Sequence, residues 1–212
     1  MCPGSKNIGY EGAIPIHFKF KKQIYNFPKT IGVCGANHGA GATHVALALS
    51  NYLCSKEGLR VAYLELSGSH DICNLSGKSN EQMFKKCRIH LYPDATKLTL
   101  DAIAADYDVL VLDLGVLHKG LLNEYQRCDL RLVIGDLSCW RQHYISEWIR
   151  LYGSLDQIHP EATRILGNGM GTKERTKSNL SIPISEFIPN IPNPFHLTSS
   201  EWSIFEALFT RK

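Results

Sequence analysis

The residues best suited to chemistry lie in one glycine-rich stretch, VCGANHGAGATHVALALS, at positions 33–50. Gly35, Gly39 and Gly41 allow the backbone to come close to a ligand, and an Ala/Leu-rich run follows. A strand that turns into a helix through such a loop presents backbone N–H groups and a helix N-terminus to phosphate. The full motif of this kind adds a lysine for phosphate charge and a Ser or Thr for Mg²⁺. Here Thr43 supplies the hydroxyl, and Ala42 stands where the lysine is expected. Asn37, His38 and Ala40 complete the loop. Two carboxylates close apolar runs further along: Glu65 in LRVAYLEL and Asp113 in DVLVLDLG. Asp113 is the better placed of the two to hold Mg²⁺ through water, opposite Thr43. An equally simple role for it is a helix cap or a hydrogen bond to a neighbouring loop.

Other reactive side chains point less clearly to a site. His38, if protonated, would replace part of the missing lysine charge, although a helix N-terminus opposes that protonation. His44 reads as an exposed imidazole. His70 and Asp71 share a polar loop, but no spacing supplies a third metal ligand. Cys139 and His143 are one helical turn apart, a pairing more often incidental than catalytic. Ser138 reads as the cap of that helix. The stripe Trp140, Tyr144, Trp148, Tyr152 reads as core or interface packing.

These residues need elements to position them. Residues 30–34, 59–66, 108–115, 129–135 and 162–166 read as continuous apolar strands. Helices are expected over 43–56, ended by Gly58, and over 98–105, 140–152 and 199–209. Residues 80–86 read as helical and 88–92 as a short strand. An extended, proline-rich piece spans 185–194. Residues 1–28 are broken by Gly and Pro, with a short alternating edge strand, HFKFKK, at 17–22. Unbroken apolar strands alternating with helices imply a mostly parallel sheet covered on both faces. The expected fold is therefore α/β, a doubly wound three-layer sandwich, formed by one domain over 29–212 after an irregular segment over 1–28. Ligands in such folds bind beyond the carboxyl ends of the strands, where the loops after Cys34, Leu66 and Asp113 all fall.

Composition narrows the setting. The 212 residues are 44% hydrophobic and 20% charged, as in an ordinary globular protein. A net charge of +3 gives no argument for nucleic-acid binding. There is no apolar run of membrane-spanning length. Seven scattered cysteines without a CxxC pair fit reduced thiols in a cytoplasmic protein. The lysines of 17–22 read as a solvated face, with peripheral membrane contact as the alternative.

The loop resembles that of the MinD/ParA family of P-loop NTPases, whose variant motif is K-G-G-x-G-K-[ST]. Gly39, Gly41 and Thr43 match it; Asn37 and Ala42 replace its two lysines, and His38 its first glycine. DYDVLVLDLG, at 106–115, is similar to the family's YDYIIIDTP. Glu65 stands at the family's acidic position, while Ser67 replaces the next one. Asn168 is placed like the family's adenine-reading Asn, and FIPNIPNPF, at 187–195, resembles its last strand and Ile-Pro turn. By element order the likeness covers roughly 29–195. It is nearest to degenerate members such as the TadZ/CpaE-like proteins of Flp pilus systems, which localise a secretion machine. The resemblance implies a site for ATP or ADP with Mg²⁺ built from Gly35, Asn37, His38, Gly39, Ala40, Gly41, Ala42, Thr43, Glu65 and Asn168. Thr43 and Asp113 would face the metal. It also implies little hydrolysis, protein partners, and a homodimer that depends less on ATP than its lysine-bearing relatives. Two alternatives stand beside it. Gly35-x-x-x-Gly39-x-Gly41 also matches the NAD(P) loop of short-chain dehydrogenases, with Glu65 accepting from a ribose hydroxyl. That family's Tyr-x-x-x-Lys pair occurs only at Tyr25/Lys29 and Tyr52/Lys56, far too early for its place in the fold. The other alternative is an interaction scaffold that binds no nucleotide.

Overall fold

The fold is that of a computed structural model, which describes residues 27–77, 81–95, 100–156, 162–168 and 184–210. The HFKFKK strand expected at 17–22 lies outside these residues. The chain order is β1 (Thr30–Gly35), α1 (Ala42–Ser55), β2 (Val61–Glu65), β3 (Phe84–Lys86), β4 (Ile89–Tyr92) and α2 (Leu100–Ala104). It continues with β5 (Val109–Val116), α3 (Leu122–Arg127), β6 (Leu130–Asp136), α4 (His143–Tyr152), β7 (Thr163–Asn168), β8 (Ile184–Ile188) and α5 (Ser199–Thr210). The strands form one sheet in the order β3-β4-β2-β5-β1-β6-β7-β8. Every pairing is parallel except β3 with β4.

The central strands are apolar on both faces because helices cover both. Ile31, Val33, Val61, Tyr63, Val109 and Val111 pack beneath α1 and α5. Their neighbours Cys34, Ala62, Leu64, Leu110, Leu112 and Leu114 face the opposite layer, with Tyr125 of α3 and Ile145 and Trp148 of α4. Helix α1 is buried almost all round, from Val45 to Cys54, which its small Ala46 and Ala48 allow. It stops at Gly58, whose φ of +71° lets Leu59 N–H return to the Leu53 carbonyl.

Strand β1 lies at the switch point. The chain first builds leftward from it, towards β2 and β4, and later rightward through β6, β7 and β8. The loop after β1 therefore opens into the crevice where such sheets bind ligands. Strand β5 sits between β1 and β2. A dinucleotide-binding sheet runs 3-2-1-4-5-6, with its first two strands adjacent. The short-chain-dehydrogenase alternative does not survive that difference.

Local expectations fail in three places. Residues 84–86, expected to be helical, form β3 of an antiparallel hairpin with β4. Its turn is Cys87-Arg88, with φ of +48° and +68°. That two-residue geometry normally announces itself by Asn-Gly, which is absent here. Helix α3 was not visible as a periodic segment, because its six residues make barely more than one turn. Helix α4 begins at His143, with Gln142 at its cap. Ser138 therefore does not cap it; the Ser138 carbonyl instead accepts from Arg141 N and Gln142 N in the preceding turn.

Gly135, near the end of β6, lets α4 sit close to the sheet. A Cβ there would lie 2.3 Å from Ile145 Cδ1 and 2.4 Å from its Cγ1. Gly135→Ala is expected to destabilise the protein by about 1–3 kcal/mol through overpacking, measured by denaturant unfolding. A loss below 0.5 kcal/mol, on the order of an ordinary surface change, would show that α4 moves freely.

Candidate phosphate-binding site

The period of two along parallel strands puts Tyr63, Glu65 and Asp113 on the face covered by α1. Glu65 and Asp113 are register partners across β2 and β5. All three side chains are completely buried. Asp113 Oδ2 accepts from Thr43 Oγ1 at 2.6 Å and from Tyr63 OH at 2.7 Å. Its Oδ1 accepts from Gly115 N at 3.0 Å. Burial pushes the Asp113 carboxyl above the usual carboxylate range, against the pull of these three hydrogen bonds. Burial, reinforced by the charge of Asp113, holds the Tyr63 hydroxyl well above its ordinary value, so it stays a donor. Glu65 Oε1 accepts from Ser69 Oγ at 2.7 Å and Asp71 N at 2.8 Å, which folds the loop after β2 back onto the strand. Its Oε2 is buried with no hydrogen-bond partner.

The loop itself is built from left-handed turns. Gly39 has φ +76° and Gly41, the cap residue of α1, has φ +99°. Side chains rarely adopt such values, so both positions need glycine. A Cβ on Gly41 would also lie 2.8 Å from Asn168 Nδ2. The N-terminus of α1 has no side-chain cap and no acidic residue in its first turn. Its first amides are thus left for something other than the protein's own side chains, and an anion suits them.

The positions expected from sequence converge here to different degrees. Gly35, Ala40, Ala42 and Thr43 sit where the loop packs onto the strands, and Thr43 and Asp113 are in direct contact. Asn37 donates to the His38 carbonyl at 2.7 Å, and its Oδ1 is buried without a partner. His38 is exposed. Asn168 Nδ2 donates to the Ala40 carbonyl at 2.9 Å, so it also braces the loop. His44 is not the exposed imidazole expected: its Nε2 lies 2.7 Å from the Ile191 carbonyl and ties α1 to the segment after β8. Cys139 and His143 are both exposed, and the His143 ring lies tilted at 37° to that of Tyr144, with centroids 4.0 Å apart. The aromatic stripe divides, with Trp148 buried and Trp140 70% exposed.

Two residues escaped the sequence reading. Tyr63 carries a signal, a hydroxyl two positions before Glu65 and so on the same strand face. Arg141 carries none: it comes from the turn after β6, and its Nη1 lies 3.4 Å from where a Gly39 Cβ would be.

No protein-family model matches the chain, and no curated protein matches it. Solved structures do. MinD cell division protein of Aquifex aeolicus superposes with a TM-score of 0.65 at 16% identity, over 85% of this chain and 95% of that one. A ParA family ATPase of Chlorobium tepidum gives 0.56 at 17%, over 77% and 85%. The chain has the MinD/ParA-type P-loop fold. Cobyrinic acid a,c-diamide synthase of Mycobacterium smegmatis, solved with an ATP analogue and magnesium, shares the fold at 0.63 and 13% identity, over 84% and 91%. Within the MinD/ParA-type fold, the loop after β1 and Asp113 of β5 are brought together by the β1–β5 pairing.

A metal fits the donor set only together with a ligand. Among the described residues no group of three or more His, Cys, Asp or Glu is placed to hold one. Thr43 and Asp113 offer two hard oxygens side by side. Mg²⁺ characteristically takes one or two such ligands, completing its shell with water and phosphate.

Tyr63→Phe removes one hydroxyl from Asp113 and is expected to cost about 1.5–3 kcal/mol, as for a hydrogen bond to a charged group, by chemical denaturation. The buried Asp113 charge has its own sign. A raised folded-state pKa means that the native state holds its proton to higher pH than the unfolded chain. The penalty is absent below the unfolded carboxylate pKa and grows as pH rises towards and through the folded one. The stability of Asp113→Asn relative to wild type should therefore shift in the variant's favour as pH rises from acid to neutral. A shift in the opposite direction would contradict the burial argument.

Proposed function

We propose that this protein binds ATP or ADP, with Mg²⁺, weakly at the loop 35–43, hydrolyses it slowly or not at all, and acts as an assembly, positioning or regulatory partner of other proteins. The observation that carries the reading is the uncapped N-terminus of α1 behind the left-handed Gly39 and Gly41, with Thr43 already hydrogen-bonded to Asp113. Backbone amides and the helix N-terminus would bind the phosphates. Thr43 and Asp113 would hold Mg²⁺, which supplies positive charge beside the phosphate oxygens when bound. Asn168 would brace the loop and border the base. The cobyrinic acid synthase with its ATP analogue and magnesium supports the ligand class.

Low turnover follows from charge. Phosphoryl transfer is driven mainly by positioning and by cations that stabilise the spreading negative charge. Asn37 and Ala42 supply none. Protein partners and a homodimer are part of the proposal; the MinC:MinD complex of Aquifex aeolicus, among the structures with this fold, supports the first of these. So is a place in the cytoplasm; no helix among the described residues is long and apolar enough to cross a membrane. The resemblance to TadZ/CpaE-like proteins makes a pilus or secretion assembly the first partner to try.

The test is thermal unfolding with ATP·Mg²⁺, ADP, NAD⁺ and NADPH on one preparation. A ligand at about ten times its Kd adds about 1.4 kcal/mol, a few degrees for a chain of this size. The expected result is a shift with ATP or ADP that Thr43→Val reduces, with phosphate release slow or at background. A shift with nicotinamide cofactors alone, no shift at all, or an ATPase rate as fast as that of lysine-bearing relatives and abolished by Asp113→Ala would each contradict the proposal.

A further inference from the structure

We infer that Arg141, from the turn between β6 and α4, is the cation that meets the terminal phosphates in this loop, in place of the absent lysines. The inference rests on the nucleotide reading above and names the residue that completes it.

The placement is specific. Gly39 has no side chain, and Arg141 Nη1 comes within 3.4 Å of the space that a Cβ would fill. The guanidinium therefore lies against the backbone of the loop. Its own turn is held rigidly: Arg141 N donates to the Ser138 carbonyl at 2.9 Å, and Ser138 N donates to Asp136 Oδ1 at 2.9 Å. Asp136 is the register partner of Asn168, the residue that braces Ala40. The ends of β6 and β7 thus fix both the loop and the arginine beside it.

The guanidinium is also available. Its side chain is 40% exposed, and its ion pair with Asp136 spans 3.6 Å. Charge-assisted hydrogen bonds are shorter, about 2.7–2.9 Å. A part-exposed pair of that length contributes little and does not saturate the five donors of a guanidinium. A phosphate offers the better partner, because the planar fork matches two of its oxygens. Lysine at 37 or 42 would reach the phosphates from within the loop; Arg141 reaches them from the neighbouring strand's turn. The ligand class is a nucleoside di- or triphosphate, and the contact should strengthen with each added phosphate.

Calorimetric titration of ATP, ADP and AMP, each with Mg²⁺, into wild type, Arg141→Gln and Arg141→Lys tests this. Arg141→Gln is expected to weaken ATP about 10- to 100-fold, ADP less, and AMP hardly at all. Arg141→Lys keeps the charge without the fork and should lose less than Gln. It also serves as the second variant should Gln not fold. Unchanged ATP affinity, or an equal loss for all three nucleotides, would overturn the inference and leave Arg141 as a brace for the loop. If wild type binds none of the three, the nucleotide reading fails and this inference with it.

Discussion

One oxygen atom organises this molecule. Oδ2 of Asp113 takes hydroxyl hydrogen bonds from Thr43 and Tyr63, so the start of α1 and the middles of β5 and β2 meet at a buried carboxylate. Buried carboxylates are costly unless satisfied, and this one is satisfied by the residues that shape the loop. The coupling runs both ways. The core fixes where Thr43 stands, and the first turn of α1 must stay where Thr43 can reach Asp113. Gly39 and Gly41, with φ of +76° and +99°, turn the chain from β1 into that helix start.

The same node sets the electrostatic problem of the site. Two fully buried carboxylates, Glu65 and Asp113, lie under a loop that carries no lysine. The local cationic character comes from the amides of α1 and from Arg141 at the rim. In the proposed function, that balance would hold an anion, with a divalent cation beside Asp113, more readily than it would drive a phosphoryl group off it. Two of the buried cysteines, Cys54 and Cys128, are not poised as nucleophiles. Burial pushes the Cys54 thiol up to about 11 and Cys128 up to about 12, so neither is a thiolate near neutrality.

Much of this was legible in the sequence, for physical reasons. The central strands are unbroken apolar runs because both faces of the sheet are covered, and that pattern locates β1, β2, β5 and β6 to within a residue or two. The loop was legible because left-handed backbone favours glycine. What was hidden depends on distance along the chain. Tyr63 looks like another apolar strand residue until Asp113 is placed beside it 50 positions away. Arg141 looks like any solvent-facing arginine until β6 lies next to β1. The β3–β4 hairpin was misread because its Cys87-Arg88 turn takes positive φ without glycine or asparagine. Likewise His44 read as exposed, because nothing near it in sequence reveals the Ile191 carbonyl.

The central claim is that backbone amides at the start of α1, not a lysine, receive the phosphates. Amide hydrogen exchange, with and without ATP·Mg²⁺, measures those groups themselves. The account predicts slowed exchange confined to the amides of residues 38–44 and the segment bearing Arg141. Slowing elsewhere with no change over 38–44, or no change anywhere at saturating nucleotide, would contradict it.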